Sequence, residues 1–221
     1  MKKLVDYCKK NGISPEILLC ENGSTDKSLA IIQNMDVQGL KKVYINQRGL
    51  GAAYREGIKQ ATNEIVYFTG IDFPFGLDNI KDCLKEIEDY DIIFASKAHP
   101  KSKISNSLKR RVTSKVFRFF LRIFLGLKIM DPQGCVMFHR KKINKILKYC
   151  DSDNAFFETQ IALYSEFDGF KYLEIPVCYD DPRSDSKINI QKDGQEMLRA
   201  IIAERPKIKR LSKICKSGGI I

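Results

Sequence analysis

A single carboxylate, Asp72, follows an apolar run and a glycine in the stretch EIVYFTGIDFPF. Carboxylate oxygens are ligands for hard divalent cations, and one or two of them suffice when phosphate oxygens and waters complete the coordination shell. Aspartate before a proline-containing segment is also typical of a surface turn. Both interpretations stay open from these residues alone, so the other loops of the chain have to decide between them.

Two more loops have compositions suited to an anionic ligand. The stretch ENGSTD places the carboxylate of Glu21 and the amide of Asn22 in one turn. In NQRGLGAA, Gly49 and Gly51 permit close backbone approach, and a helix that begins near Ala52 has an N-terminus that favours an anion. The simpler alternative is a pair of connectors, the second of them needing positive φ at glycine.

The basic side chains are concentrated in one part of the chain. Residues 97–148 carry 15 basic side chains and one acidic side chain, while the net charge of the whole protein is +11. Such a block attracts the phosphates of nucleic acids, lipid head groups or phosphorylated ligands. No nucleic-acid-binding motif accompanies it, so we predict that nucleic acid is not a partner.

Residues 105–128 predict one long helix with two distinct faces. Basic side chains form one stripe: Arg111, Lys115, Arg118 and Arg122. Apolar side chains form another: Val112, Val116, Phe119, Phe120, Ile123 and Leu127. The helix either packs on the core with its cationic stripe in water, or lies in a membrane interface with that stripe on anionic head groups.

These residues are carried by alternating strands and helices. Apolar runs predict strands at 16–20, 42–45, 64–69 and 91–96, separated by helical patterns. This alternation favours an α/β fold whose mostly parallel sheet is covered on both faces, with ligands at the carboxyl ends of the strands. All three loops described above follow strands. Further along, the patterns predict an amphipathic helix at 154–169, a strand at 170–179 and a helix at 191–204.

Cysteine usage and hydropathy indicate the cellular setting. Seven scattered cysteines without a CxxC pair are typical of reduced thiols, not of a disulfide framework or a zinc site. No stretch reaches the ~18 uninterrupted apolar residues of a membrane-spanning helix. We therefore predict a cytoplasmic protein.

Several stretches together resemble glycosyltransferase family 2. ENGSTDKS, NQRGLGAAYREGIKQAT, EIVYFTGID, DPQGCVMFHR and EIPVCYDDPRSDSKIN occur in the order and spacing of that family. The likeness is greatest to its polyprenyl-phosphate sugar transferases, such as dolichyl-phosphate mannose synthase. It implies an A-type fold with a mixed, mostly parallel sheet flanked by helices. It also implies transfer of a hexose, with inversion, from a nucleotide-diphosphate sugar to a polyprenyl phosphate.

The resemblance assigns a donor site and a metal. Matching the family motifs residue by residue gives these donor-binding positions: Glu21, Asn22, Gly23, Gly49, Gly51, Ala52, Ser186 and Lys187. Arg183 belongs to the same diphosphate-covering loop and is assigned to catalysis. Asp72 matches the second carboxylate of an Asp-x-Asp pair that holds Mg²⁺ or Mn²⁺, whereas the first is replaced by Gly70. The predicted site is therefore a weakened one.

The resemblance also assigns an acceptor site. Lys97 and Lys115 stand where the family has phosphate-binding arginines, and Arg122, Asp131 and Gln133 are placed near the acceptor. Lysine keeps the charge but loses the bidentate geometry of arginine. A lipid-linked acceptor needs access to the bilayer. We therefore favour the membrane interpretation of the long helix and a location at the cytoplasmic face of an anionic membrane.

One expected element is not found. The family opens with a central strand ending in P-x-Y-N-E, while this sequence begins with the helix that follows it, so neighbouring strands should have an unpaired edge. The predicted division is a catalytic domain at 1–189, incomplete at its start, and a basic helix and tail at 190–221. The alternative function is a catalytically impaired domain that serves as a membrane-associated binding or scaffold subunit.

Overall fold

A computed structural model describes residues 1–105, 107–180 and 190–216. Helices in this part of the chain are α1 (Lys2–Lys10), α2 (Ser28–Gln33), α3 (Leu50–Gln60), α4 (Asp78–Glu86), α5 (Leu108–Leu125), α6 (Arg140–Ile146), α7 (Phe156–Phe167) and α8 (Ile190–Lys216). Strands are β1 (Ile17–Glu21), β2 (Leu40–Tyr44), β3 (Ile65–Phe68), β4 (Ile92–Ser96), β5 (Lys103–Ser105), β6 (Val136–His139), β7 (Tyr172–Pro176) and β8 (Cys178–Asp180). The α/β alternation predicted for the first half is confirmed.

The strands form three separate sheets in the described residues. The main sheet has the order β3-β6-β4-β7, in which β6 runs antiparallel to both neighbours and β4 pairs with β7 in parallel. Strands β1 and β2 form a parallel pair, and so do β5 and β8. The single strand predicted for residues 170–179 is therefore two strands that belong to different sheets. The sheet is mixed, as predicted.

Strand β4 lies inside the main sheet, between the two clusters of buried side chains that form the core. All five of its residues are buried, which suits an uninterrupted apolar run with helices on both faces. One core cluster includes Phe94, Phe138, Phe157 and Ile161, and a second one surrounds Ile93 under α1 and α4. The loops that follow β3 and β4 thus extend from strands that are fixed by dense packing.

Helix α7 is not amphipathic, which corrects the prediction for residues 154–169. Every residue from Phe156 to Ser165 is buried, including Glu158, Thr159 and Gln160. The polar residues in the sequence gave the appearance of a solvent-facing side. They face other elements of the protein instead, so each of them needs a partner inside the fold.

Helix α8 is one of those partners. Its buried Glu204 accepts hydrogen bonds from Gln160 at 3.0 Å and from Tyr164, and it pairs with Lys207 at 3.3 Å. Ile201 on the same helix is 1% exposed and belongs to the main core. The helix is longer than the predicted 191–204 and packs against the fold, while the division at residue 189 stays a prediction.

Strands β1 and β3 each pair on one side only within the described residues. Helix α3 links the two sheets, because it packs on β1 and because Tyr54 stacks on Phe68 of β3 with ring centroids 4.3 Å apart. The pair β1–β2 is therefore joined to the main sheet through a helix instead of through strand hydrogen bonds.

Helix α5 has an exposed apolar stripe. Val112, Val116, Phe119 and Ile123 are between 48% and 60% exposed, in line with the predicted apolar face. Two members of that face were misplaced by the sequence pattern, since Phe120 packs on the core and Leu127 is 2% exposed. The core-facing side instead includes Leu121 and Leu125.

Two further features of the described residues concern their hydropathy and their thiols. No helix in the ranges given above is long and apolar enough to cross a membrane. The cysteines described are all free thiols: Cys8, Cys20, Cys83, Cys135, Cys150 and Cys178.

Candidate functional site

The candidate site lies where the ends of several strands meet. Parallel strands β4 and β7 end at the same edge of the main sheet. Strand β6 runs the other way, with Phe68 opposite Val136, so the residues that precede β6 reach this edge together with those that follow β3. The topology therefore brings the loop after β3, Lys97 after β4 and the 131–135 segment to one place.

Asp131 and Gln133 hold Lys97 at this edge. All three are site residues predicted from the sequence, and together they are called the Lys97 group. The Asp131 carboxylate accepts from the Lys97 backbone amide at 2.8 Å and lies 3.1 Å from its ammonium. The ammonium also donates to the Gln133 carbonyl and lies 5.4 Å from the ring centroid of Phe75. The side chain of Asp131 is only 5% exposed, which strengthens its attraction to Lys97. The cation is thus fixed in position and orientation.

Glu158 is a residue of this site that the sequence did not reveal. Burial raises its pKa from 4.5 to about 8, and the charges of Lys97 and Asp131 act on it in opposite directions. It lies in the first turn of α7 and is 7% exposed. A signal was available, because it is an acidic residue directly after the apolar pair Phe156 and Phe157. The carboxyl group is therefore mostly neutral at pH 7.

Tyr54 connects Glu158 with the loop after β3. Burial raises the pKa of Tyr54, and the negative charges of Glu158 and Asp72 add to this shift. The tyrosine therefore lies within electrostatic reach of both carboxyl groups. Asp72 itself is exposed in the loop that follows β3. The predicted metal ligand thus lies on the same side of the sheet as the Lys97 group.

The residues around Asp72 suit a metal ion whose coordinating oxygens come mainly from a bound diphosphate. The described chain contains no cluster of three or more His, Cys, Asp or Glu side chains that could hold a metal by themselves. A Cβ atom on Gly70 would lie 2.6 Å from Oδ1 of Asp72, so a second carboxylate there requires Asp72 to move. One carboxylate fits Mg²⁺ or Mn²⁺ when a diphosphate supplies other oxygens.

The two predicted donor loops are in contact. Asn22 donates from its side-chain amide to the carbonyl of Gly49 at 2.8 Å. The buried Glu21 carboxylate accepts from the backbone amide of Ser24 at 2.6 Å, and this hydrogen bond lowers its pKa. Gly23 has a φ of +79°, which favours glycine at that turn. Glu21 is therefore ionised and held at the end of β1.

Two amides in the first turn of α3 are already engaged, so they are not available to an anion, and the donor-binding roles of Gly49, Gly51 and Ala52 stay predictions. The amides of Gly51 and Ala52 already donate to the carbonyl of Asp153, at 2.8 and 3.2 Å. A Cβ on Gly51 would lie 2.6 Å from Cβ of Phe157. The glycines are thus needed for the close approach of the segment before α7.

Other predicted residues do not join this group. Lys115 and Arg122 are exposed on α5, and neither contacts the Lys97 group in the structure described. Arg183, Ser186 and Lys187 lie outside the described residues. Their assigned roles stay predictions.

Comparison with known proteins gives a family match and curated relatives. The model of "Glycosyl transferase family 2" matches residues 2–147, more than half of the chain. "Glycosyltransferase AglD" of Haloferax volcanii is 22% identical over 207 residues, covering 88% of this chain and 33% of the relative. "Undecaprenyl-phosphate 4-deoxy-4-formamido-L-arabinose transferase" of Sodalis glossinidius is 24% identical over 199 residues, covering 87% of this chain and 58% of the relative. The chain therefore spans less than two thirds of either relative.

A solved structure with a similar fold is glucosyl-3-phosphoglycerate synthase from Mycobacterium tuberculosis, crystallised with Mn²⁺, uridine diphosphate and phosphoglyceric acid. The TM-score is 0.59 at 15% identity, over 91% of this chain and 71% of that one. At this identity the likeness concerns the fold alone.

Proposed function

The chain belongs to glycosyltransferase family 2 and has the A-type fold, and on this premise we propose that it transfers a hexosyl group from a nucleotide-diphosphate sugar to a polyprenyl phosphate. The name of one curated relative specifies undecaprenyl phosphate, which supports a lipid-linked acceptor. The solved structure of similar fold contains uridine diphosphate, which supports a nucleotide donor.

The observation that carries this proposal is the fixed cation at the end of β4. Asp131 and Gln133 use two of the directions in which the Lys97 ammonium can donate. Lysine has three such N–H groups, so one remains for an acceptor phosphate among the contacts of the described residues. Glu158 is mostly protonated at neutral pH and adds little repulsion to a phosphate placed there.

The proposed reaction needs positioning more than proton transfer. An oxygen of the acceptor phosphate, already ionised, attacks the anomeric carbon and forms the new C–O bond. The bond from that carbon to the donor diphosphate breaks, and its electron pair leaves with the nucleoside diphosphate, so the anomeric centre is inverted. Lys97 orients the attacking phosphate, and Glu21 and Asn22 belong to the donor side.

A divalent cation at Asp72 fits this scheme. When bound, Mg²⁺ or Mn²⁺ neutralises the charge of the departing diphosphate. The structure of similar fold that contains Mn²⁺ supports this choice of metal class. Asp72 contributes one carboxylate at the end of β3, close enough to Tyr54 to affect its pKa.

We further propose that α5 and α8 form a peripheral membrane surface at the cytoplasmic face. The exposed apolar stripe of α5 lies beside exposed Lys115 and Arg122. On α8, exposed Ile202 lies one turn before Arg205, whose guanidinium lies 5.9 Å from the ring centroid of Phe124 on α5. Apolar contact combined with cationic charge suits an anionic bilayer.

The proposal is tested by sugar transfer in detergent or vesicles. The purified chain is incubated with radiolabelled uridine- and guanosine-diphosphate hexoses and a polyprenyl phosphate. We expect Lys97→Met to reduce kcat/KM about 100-fold, as loss of one electrostatic contact to the reacting group typically does. Lys101→Met, at a nearby exposed lysine, should retain activity. Absence of product with every donor, or full activity of Lys97→Met, contradicts the proposal.

The second candidate function is a membrane-associated binding or scaffold subunit. It is favoured by the single carboxylate at the metal position and by the engagement of the Gly51 and Ala52 amides in the first turn of α3. Vesicle binding without sugar transfer and without nucleotide binding is the result that selects it.

A further inference from the structure

Four successive backbone amides in the loop between α5 and β6 donate to only two side chains. The loop residues 128–131 are neither helix nor strand. Glu166 of α7 accepts from the first two amides, at 2.8 and 2.5 Å. Glu174 of β7 accepts from the last two, at 2.9 and 3.1 Å. The path of this loop is therefore set by two carboxylates from separate elements.

Two neighbouring carboxylates are an unfavourable combination unless each has strong partners. Burial raises the pKa of Glu166, and the negative charge of Glu174 acts in the same direction. The opposing contribution comes from the amides of Lys128 and Ile129, which lower that pKa. Hydrogen bonds from N–H groups to an ionised carboxylate are stronger than neutral ones. The loop amides thus offset the repulsion and are fixed in return.

The loop ends at the residue that holds Lys97. Asp131 gives its amide to Glu174, while its carboxylate binds both the backbone amide and the ammonium of Lys97. In the parallel pair β4–β7, Glu174 lies opposite Phe94, near the end of β4 from which Lys97 follows. A route of two hydrogen-bonded contacts therefore leads from Glu174 to the ammonium.

We infer that Glu174, supported by Glu166, is a positioning residue that sets the orientation of Lys97 toward the acceptor phosphate. The inference rests on the function proposed above. Neither glutamate touches a reacting atom, and each acts only through the loop. Glutamine at position 174 keeps the size of the side chain, but its NH₂ group faces an amide N–H where an oxygen was needed. One of the two bonds is then lost and Asp131 shifts.

The first test compares Glu174→Gln with Glu16→Gln in steady-state transfer. Glu16 is a matched control, because its carboxylate also accepts a hydrogen bond from a backbone amide, that of Thr62 at 2.8 Å. Glu16 directly precedes β1, at the end of that strand opposite to Glu21. We expect Glu174→Gln to raise the acceptor KM about 10- to 100-fold with the donor KM unchanged, since small displacements of a positioning group have effects of this size. Glu16→Gln should leave both constants unchanged, and Glu174→Asp should recover part of the loss.

The second test does not depend on activity. Acylation of the Lys97 amine, followed by mass spectrometry, measures how firmly Asp131 holds it, and hydrogen exchange measures the loop amides. We expect both rates to increase at least about tenfold in Glu174→Gln and not in Glu16→Gln. Faster hydrogen exchange of the loop amides with unchanged acylation of Lys97 overturns the inference, because Glu174 and Glu166 then only stabilise the loop. If the wild type transfers no sugar, the proposed function fails, and the acylation rates still decide the inference.

Discussion

Among the single residues of the site, Glu158 is a buried carboxyl group with a raised pKa. It interacts electrostatically with Lys97 and Asp131 and affects the pKa of Tyr54, so its protonation changes the charge of the site. In the neutral form it leaves Lys97 and Asp131 as an ion pair. In the ionised form it adds a negative charge where the acceptor phosphate is expected to bind.

Protein stability should therefore fall as the pH rises. Folded Glu158 keeps its proton up to about pH 8, whereas the unfolded chain releases it above 4.5. The folded state binds more protons in this window, so the free energy of unfolding decreases with pH, by roughly 5 kcal/mol in total across it. Urea unfolding from pH 5 to 9 should show this slope in the wild type and a smaller one in Glu158→Gln. Equal pH dependence of the unfolding free energy in the wild type and in Glu158→Gln contradicts the raised pKa assigned to Glu158.

Asp72 gives the second prediction, which concerns metal. If its carboxylate binds the cation, Mn²⁺ should tighten binding of uridine or guanosine diphosphate about tenfold or more, and Asp72→Asn should remove this enhancement. Asp89→Asn, at an exposed position after the C-terminal end of α4, is the control. Calorimetric titration with and without Mn²⁺ measures both. If the wild type and Asp72→Asn bind the nucleoside diphosphate equally well in the presence of Mn²⁺, Asp72 is a turn residue and not a metal ligand.

A second carboxylate at position 70 is not expected to improve the site. The sequence suggests that Gly70→Asp restores the Asp-x-Asp pair. The structure adds a constraint, because the new Cβ would lie 2.6 Å from Oδ1 of Asp72, so the Asp72 carboxylate has to rotate away from its present position to admit it. The same titration should show no gain in metal-dependent affinity for Gly70→Asp.

Among the elements, α5 combines a core-facing side with an exposed apolar stripe. Leu121 and Leu125 pack inward, while Phe119 and Ile123 are about 60% exposed. Isolated apolar side chains at a surface are common, but a continuous stripe along one helix marks an interaction surface. The basic residues next to the stripe favour an anionic partner.

Vesicle binding tests this surface directly. Flotation with phosphatidylglycerol vesicles should show binding that weakens as salt is raised. Reversal of Lys115 and Arg122 to Glu should weaken it more than tenfold, at about 1 kcal/mol for each charge near the surface. Lys145→Glu, an exposed lysine on α6, controls for net charge. Binding that persists in the double variant, or that is lost equally in the control, assigns the membrane contact to another surface.

For the molecule as a whole, the local patterns predicted the fold better than the site. Apolar runs bounded by glycine and proline marked β3 and β4 to within one residue. Family motifs placed Lys97, Asp131 and Gln133 together, and the structure agrees. These successes have a common cause, because strand ends and the loops after them are specified by nearby residues.

The failures have a common cause too. The burial of α7, the use of the α3 N-terminus and the role of Glu174 all depend on segments that are far apart in sequence. Glycines at 49 and 51 predicted close approach correctly, but no local pattern indicates that the approaching group is Asp153. Hydrophobic periodicity reports which face is apolar and not which element covers it.

The way the β1–β2 sheet is attached has a consequence for cooperativity. Its links to the rest of the described structure run through α3 and adjoining loops, such as Asn22 to Gly49, without a strand partner in the main sheet. Segments with few cross-links open at lower free energy than the core they adjoin. We therefore expect the β1–β2 pair, with Glu21 at its end, to open at a lower free energy than the four-stranded sheet. Thermal fluctuations can then loosen the loop of Glu21 and Asn22 while the strands that lead to Asp72 and Lys97 stay folded.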